Sequence, residues 1–490
     1  MLGAPALIQG NRLINEKKMN DTICAPATAQ GGAISVIRVS GPAAIEITDK
    51  MFVPRKGKPL SERKTHTVAF GEIKGLDGEV LDEVLVTIMR APHSYTGDDS
   101  VEISCHASQY ITQQLLLTLF EQGARQAEPG EFTMRAFMNG KMDLSRAEAV
   151  ADLIASNSRA SHRLALNQLK GGFSEQLSQL RNKLIEFTSL IELELDFSEE
   201  DVDFADRSQL QALCNEIEGV LSRLAASFSI GNAVKNGVPV AIVGETNTGK
   251  STLLNALLHE DRAIVSDIRG TTRDTIEGTM ALNGTAFRFI DTAGLRETHD
   301  VVERMGIERT IEQLSKSSIA LWLIDPTQDS GAIEELAKQL LPICRGKRLA
   351  VLVNKCDAVD PMMLSSAMTL GAQFVQKYGD GVEWDTADLW AISARLGTNI
   401  DRLEEFLVRS AAIPEISSHD VVVTNARHYE ALQRALAHIR DVKQGLACGI
   451  SGDLVSESLR AAIRCLSEIV GEVSCSDVLN SIFANFCIGK

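Results

Sequence analysis

The chain has 490 residues and a formal net charge of −16, a length that calls for about three domains of ordinary size. An acidic surface disfavours unaided binding of a polyanion, because phosphate neutralisation needs a basic face, so any nucleic-acid substrate requires a local basic patch or a partner. Nine cysteines without CxxC spacing argue for a reducing compartment and against a zinc cluster. No run approaches the ~18 apolar residues of a membrane span, and the expected location is the cytoplasm.

Residues 1–18 hold one short apolar patch and a late cluster of Arg and Lys, which is not the order of a signal peptide. Because Asn20-Asp21-Thr22-Ile23 begins the first strand-like segment, 1–19 is expected to be a disordered or non-native extension, with Met19 as an alternative start. From 20 to 140, strand signals such as Ala33-Ile34-Ser35-Val36-Ile37-Arg38-Val39 and Glu83-Val84-Leu85-Val86-Thr87-Ile88 are punctuated by Gly and Pro. With an apolar helix over 113–119, they predict a compact α+β domain. Over 141–234 the period turns helical: Phe173, Leu177, Leu180, Leu184, Phe187 and Ile191 form one stripe, and Leu210, Leu213, Ile217, Val220, Leu221 and Leu224 another. The acidic stretch Glu199-Glu200-Asp201-Val202-Asp203 between them reads as a solvated connection.

Strands and helices then alternate over 235–412, as a parallel α/β sheet requires. After the apolar run Val240-Ala241-Ile242-Val243 comes Gly244-Glu245-Thr246-Asn247-Thr248-Gly249-Lys250-Ser251, which fits GxxxxGK[ST]. The two glycines let successive backbone N–H groups face an anion, Lys250 reaches the outer phosphates and Ser251 offers a hydroxyl to Mg²⁺. Thr252 opens a helix whose positive end points at the same phosphates. Asn283-Gly284 between two strand runs predicts a tight hairpin. Asp291-Thr292-Ala293-Gly294 ends a further strand run, placing a carboxylate near Mg²⁺ and a backbone N–H near a γ-phosphate. Asn354-Lys355-Cys356-Asp357 follows another apolar run and reads guanine, since Asp357 accepts from a ring N–H and an exocyclic amine that adenine does not offer in that arrangement. Ser393-Ala394-Arg395, again after an apolar run, supports the base. Four such elements in order identify the nucleotide as GTP.

Position 295, where small signalling GTPases carry the Gln that orients the attacking water, is Leu295. Glu297, Asp300 and Glu303 are the candidates to replace it, and the residues alone do not choose among them. Helical periodicity returns from His428 through Leu432, Ala435, Leu436 and Ile439. A helix-rich segment split by an α/β domain implies insertion, giving a helical domain over 141–234 and 413–490.

The nucleotide motifs, with Gly270-Thr271-Thr272-Arg273-Asp274, the run Asp291-Thr292-Ala293-Gly294-Leu295-Arg296-Glu297-Thr298, Arg135-Ala136-Phe137, Asn139-Gly140-Lys141 and the terminal Phe486-Cys487-Ile488-Gly489-Lys490, resemble the MnmE (TrmE) family of tRNA-modification GTPases nearly end to end. The resemblance implies a multidomain α+β and α/β protein with an N-terminal folate-binding-type domain, a helical domain and an inserted Ras-like P-loop G domain. It implies that Asn247, Ser266, Ile268 and Thr271 hold a K⁺ ion where other GTPases use an arginine finger, that Ser251 and Thr272 ligate Mg²⁺, and that Asp267, Arg269 and Gly270 join them around GTP. It selects Glu303 to orient water. Arg38, Glu102, Lys141 and Lys490 match folate contacts, the donor being 5-formyl- or methylene-tetrahydrofolate, and Cys487 matches a cysteine that takes part in modification.

The resemblance further implies a homodimer and an MnmG-type FAD protein as partner in a heterotetramer or larger complex that engages tRNA, with no membrane. The expected reaction installs an aminomethyl or carboxymethylaminomethyl group at C5 of the wobble uridine in certain tRNAs, accompanied by K⁺-stimulated GTP hydrolysis. Two alternatives are an Era- or Der-like ribosome-assembly GTPase and a purely regulatory switch. The single NKxD element and the lack of a GxxG-bearing basic tail weigh against the former. The chain departs from the family pattern at Thr246, usually Pro, at Ser266, usually Thr, at Cys105-His106-Ala107-Ser108, usually glycine-rich, and in a shorter loop at Gln30-Gly31-Gly32.

Overall fold

A computed structural model of the chain describes residues 21–29, 31–196, 207–258, 278–290, 311, 314–411, 421–448, 450, 452–472, 476–484 and 486–489. The expected extension at 1–19 and the acidic connection at 199–203 lie outside the described residues. The chain divides into two compact units, one of residues 1–151, 169–205 and 452–490, the other of 152–168 and 206–451.

In the first unit, β1 (Ile23–Pro26), β2 (Ile34–Ser40), β3 (Phe52–Pro54), β4 (Thr67–Lys74), β5 (Val80–Met89), β6 (Ser100–His106) and β7 (Arg125–Gln126) form one sheet in the order β3-β4-β5-β6-β2-β1-β7. Only the β1–β7 pairing is parallel. The sequence alternates because the sheet has one covered face. Ala69, Ile73, Val86, Ile88 and Ile103 point inward against the helices Ala44–Met51 and Gln109–Glu121, which bury Ile45, Met51, Leu115 and Leu119. The expected apolar helix is therefore present and longer than its apolar run. Val68, Phe70 and Leu85 point the other way and are exposed. The strand register sets Arg38, Glu102, Thr87 and Val68 in one cross-strand row of that outer face and Val36, Ser104, Leu85 and Phe70 in the next.

The helix Glu131–Met138 is fastened to the start of β1 by charge. Arg135 Nη2 donates to Asp21 Oδ1 at 2.5 Å and to Glu131 Oε1 at 3.0 Å, and Arg125 Nε donates to Asp21 Oδ2 at 2.5 Å. Long helices Gly172–Asp196 and Gly452–Val470 belong to this unit and pack on each other, burying Phe173, Leu177, Leu180, Leu184 and Ile191 of the expected stripe with Leu459, Ala462 and Ile469, while Phe187 of that stripe is half-buried. A final helix, Ser476–Ala484, seats Phe483 among Leu144, Ala147 and Phe137.

In the second unit, β8 (Val238–Val243), β9 (Gly278–Leu282), β10 (Thr285–Phe289), β11 (Ile319–Ile324), β12 (Arg348–Val353) and β13 (Leu389–Ala391) are ordered β13-β12-β11-β8-β10-β9, with β9 antiparallel and the rest parallel. Every residue of β11 is buried, as a central strand covered on both faces requires. Helices Lys250–Leu257 and Ile400–Ala411 cover one face, and Ser330–Leu340 and Pro361–Tyr378 the other. The β9–β10 hairpin turns at Asn283 and Gly284 with φ of 48° and 80°, the doubly left-handed turn that Asn-Gly favours. Helices Arg207–Asn236 and Ala426–Ala447 pair in this unit through the second predicted stripe and Leu432, Ala435, Leu436 and Ile439, and Phe228 stacks on Tyr429 at 4.6 Å. Among the described residues no helix is long and apolar enough to cross a membrane.

Candidate nucleotide and sheet-face sites

The phosphate loop leaves the C-terminal end of β8, where parallel α/β sheets place ligands. Asn247 and Gly249 turn left-handed, with φ of 62° and 96°, and this double reversal curls the backbone N–H groups of the loop toward one point. Two glycines permit the packing around it. A Cβ at Gly244 would lie 2.5 Å from the Leu323 carbonyl oxygen, and one at Gly249 would overlap Asn354 Nδ2. Lys250 Nζ donates to the carbonyls of Gly244 at 2.9 Å and Glu245 at 2.7 Å. Burial holds its ammonium below the ordinary lysine range, so an anion placed against it would be strongly favoured.

Asn354 ties the loop to the base-reading elements. Its Nδ2 donates to the Thr248 carbonyl at 2.7 Å, while its Oδ1 accepts from Ala394 N at 3.0 Å. Thr248 Oγ1 donates to the Glu245 carbonyl at 2.9 Å, closing the loop on itself. Ser393 is buried and its Oγ accepts from Leu396 N at 3.1 Å. A hydrogen bond from Ser393, before other causes, holds the exposed Asp357 carboxyl below its ordinary range, so it is anionic and an acceptor at neutral pH. The backbone of Arg395 follows in the same loop, and Thr252 lies in the first turn of the helix Lys250–Leu257.

Two residues of this site were missed by sequence reasoning. Asp325 follows β11 and accepts from Lys355 Nζ at 2.5 Å and from Thr327 N at 2.9 Å. Burial alone would raise its pKa, but these bonds outweigh it and hold the carboxyl low. Gln328 Nε2 donates to the Thr246 carbonyl at 3.4 Å. The available signal was a carboxylate at the end of an entirely apolar strand. Ser266, Asp267, Ile268, Arg269, Gly270, Thr271, Thr272, Asp291, Thr292, Ala293, Gly294, Glu297, Asp300 and Glu303 lie outside the described residues.

The second cluster stands on the outer face of the first unit. Arg38 Nε and Nη2 donate to Glu102 Oε1 at 2.9 and 2.8 Å. Tyr95 and Phe132 place their rings 5.6 Å from the Arg38 Cζ, two aromatic neighbours with no sequence signal of their own. The tail carrying Cys487 reaches the same place: Arg38 Nη1 points to the Gly489 carbonyl at 3.4 Å, and Gly130 N to the Cys487 carbonyl at 3.4 Å. Lys141 Nζ donates to the Pro92 carbonyl at 2.8 Å, on the loop that also carries Tyr95. Lys490 lies outside the described residues. Ser108 stands at the N-cap position of the helix Gln109–Glu121 in an extended conformation, φ −73°, without a side-chain cap bond, and neither it nor Ala107 has a positive φ, so the backbone of this stretch requires no left-handed residue.

A family model described as the MnmE helical domain matches residues 144–487, and one described as the GTP-binding protein TrmE N-terminus matches 22–141. A protein of Bacteroides thetaiotaomicron named tRNA modification GTPase MnmE is 55% identical over 471 residues, covering 96% of this chain and 99% of its own. The chain belongs to the MnmE (TrmE) family. A Bacteroides fragilis protein of the same name is 56% identical with the same coverage. A solved structure of an Aquifex aeolicus Era variant bound to GDP and AlF4 is 27% identical over 41% of this chain and 65% of that one. Its TM-score of 0.27 is too low to bear on the assignment, which rests on the MnmE relatives and the two family models.

Proposed function

We propose that the chain is a GTP hydrolase acting in tRNA modification, at C5 of the wobble uridine, with a reduced folate as one-carbon donor and an MnmG-type flavoprotein as partner. One observation carries the reading. In a chain that aligns almost end to end with proteins named tRNA modification GTPase MnmE, Asn354 joins the phosphate loop to the Ala394 backbone of the base-supporting loop.

The described residues of the phosphate loop suit a nucleotide's phosphates. Gly249 leaves room where a Cβ would not fit, Lys250 is a half-buried cation beside the loop, and Asn247 sits on the loop's exposed rim. Ser251 with Thr272 would hold Mg²⁺, and Asn247 with Ser266, Ile268 and Thr271 would hold K⁺. Bound there, the two cations would supply positive charge against the phosphate oxygens as charge develops on them. Asp357 selects guanine. Glu303 orients the attacking water, the task for which Leu295 has no polar group.

On the sheet face, Glu102, held by Arg38, suits the donor edge of a pterin, with Lys141 and Lys490 as the cations for the folate carboxylates at the other end of that ligand and Cys487 as the thiol that takes part in modification. The exposed Val68, Phe70 and Leu85 of the same face suit a homodimer interface, and tRNA would be engaged by the complex in the cytoplasm. Nucleoside analysis tests this. In a deletion strain, the wild-type chain should restore the wobble-uridine modification, while Cys487→Ser should not, although its GTP turnover is unchanged. Full modification by Cys487→Ser would make the chain a regulatory switch that takes no part in the chemistry.

A further inference from the structure

We infer that Arg38 and Gly489 couple the sheet-face site to the C-terminal tail, so that a ligand on Glu102 sets how firmly the segment carrying Cys487 is docked. This rests on the reading of Glu102 as a donor-site carboxylate. Both Arg38 bonds to Glu102 fall on Oε1, and among the described residues Oε2 accepts no hydrogen bond. A ligand N–H can therefore bind Oε2 without displacing Arg38. The guanidinium is a planar fork and is closely held here. Its third nitrogen points to the Gly489 carbonyl, and it lies close to the rings of Tyr95 and Phe132. Tyr95 is itself fixed by a 2.9 Å hydrogen bond between its hydroxyl and Thr133 Oγ1.

The tail is seated at both ends. Phe486 packs on Phe483 with ring centroids 5.3 Å apart. Gly489 is buried at φ 97°, where a Cβ would overlap the Pro26 carbonyl of β1. Between these anchors Cys487 and Ile488 are exposed. A ligand that immobilises Glu102 immobilises Arg38, and through it the Gly489 carbonyl. The coupling is reciprocal: the factor by which the ligand strengthens tail docking is the factor by which a docked tail strengthens ligand binding, so a tail that no longer docks must weaken the ligand.

Hydrogen exchange of the tail in the full-length chain, with and without 5-formyltetrahydrofolate, combined with calorimetric titration, tests this. The folate should slow exchange across the tail of the wild type. Gly489→Ala should exchange faster and bind the folate roughly fivefold or more weakly, the lower end of ordinary coupling. Arg38→Lys keeps the charge without the fork, and its tail should no longer respond to folate. Ile488→Ala, changing an outward side chain, should match the wild type. A Gly489→Ala chain with a faster-exchanging tail and wild-type folate affinity would overturn the coupling alone. Failure of the wild type to bind the folate at all would overturn the donor-site reading with it.

Discussion

Asn354 does two jobs with one carboxamide, and their partners are remote in sequence. Its place after an apolar strand was legible, because a guanine-reading motif must emerge from the C-terminal end of a buried β-strand. Its partners were not, since the Thr248 carbonyl is 106 positions away and Ala394 is 40, and only the sheet order brings them together. In Asn354→Ala both groups lose their buried partner, at about 1–3 kcal/mol each. GTP affinity, read by fluorescence titration of a labelled analogue, should fall at least ~10-fold, the equivalent of about 1.4 kcal/mol, and the thermal midpoint should drop. Asn354→Asp can still accept from Ala394 N but cannot donate to Thr248, so it should fall with the alanine variant. Wild-type affinity in Asn354→Asp would mean that the bond to the loop contributes nothing. Tyr95 and Phe132 carried no motif and became visible only through what they touch.

Elements were more legible than residues, because hydrophobic period survives without knowledge of contacts. The two helical stripes, the alternating strands and the Asn283-Gly284 turn all follow from spacing. The charge cluster that holds the helix Glu131–Met138 to β1 does not, since Asp21, Arg125, Glu131 and Arg135 come from three segments. Burial alone would raise the Asp21 and Glu131 carboxyls, but hydrogen bonds from Arg125 and Arg135 outweigh it and hold both below their ordinary values of 3.8 and 4.5. The unfolded chain takes up these protons at the ordinary values. The stabilisation is therefore complete above about pH 5 and is lost as pH falls through the depressed folded-state values. The urea midpoint of the first unit should be flat from neutral pH to about 5 and fall below about 4, and Glu131→Gln should be less stable at neutral pH with a shallower acid slope. An unchanged slope in Glu131→Gln would remove the cluster as the source.

At the scale of the whole molecule, a homodimer held through the outer sheet face would act on the nucleotide loop through concentration. If GTP hydrolysis requires two G domains to pair around K⁺, a dimer held through the first unit makes that pairing intramolecular, at an effective concentration of order mM for a short tether. Phe70 and Leu85 are opposite one another in the β4–β5 register, and Phe70 is 42% exposed. A carboxylate there would bury a charge in any interface without disturbing the inner core. Phe70→Asp should therefore sediment as a monomer and keep its GTP affinity. Its K⁺-stimulated turnover per chain should rise with protein concentration in the micromolar range, where the wild type's is constant. Replacing K⁺ by Na⁺ should bring the wild-type rate down toward that of dilute Phe70→Asp. Equal rates in the two salts would eliminate the ion from the mechanism, and a monomeric variant with concentration-independent, fully stimulated turnover would eliminate the pairing.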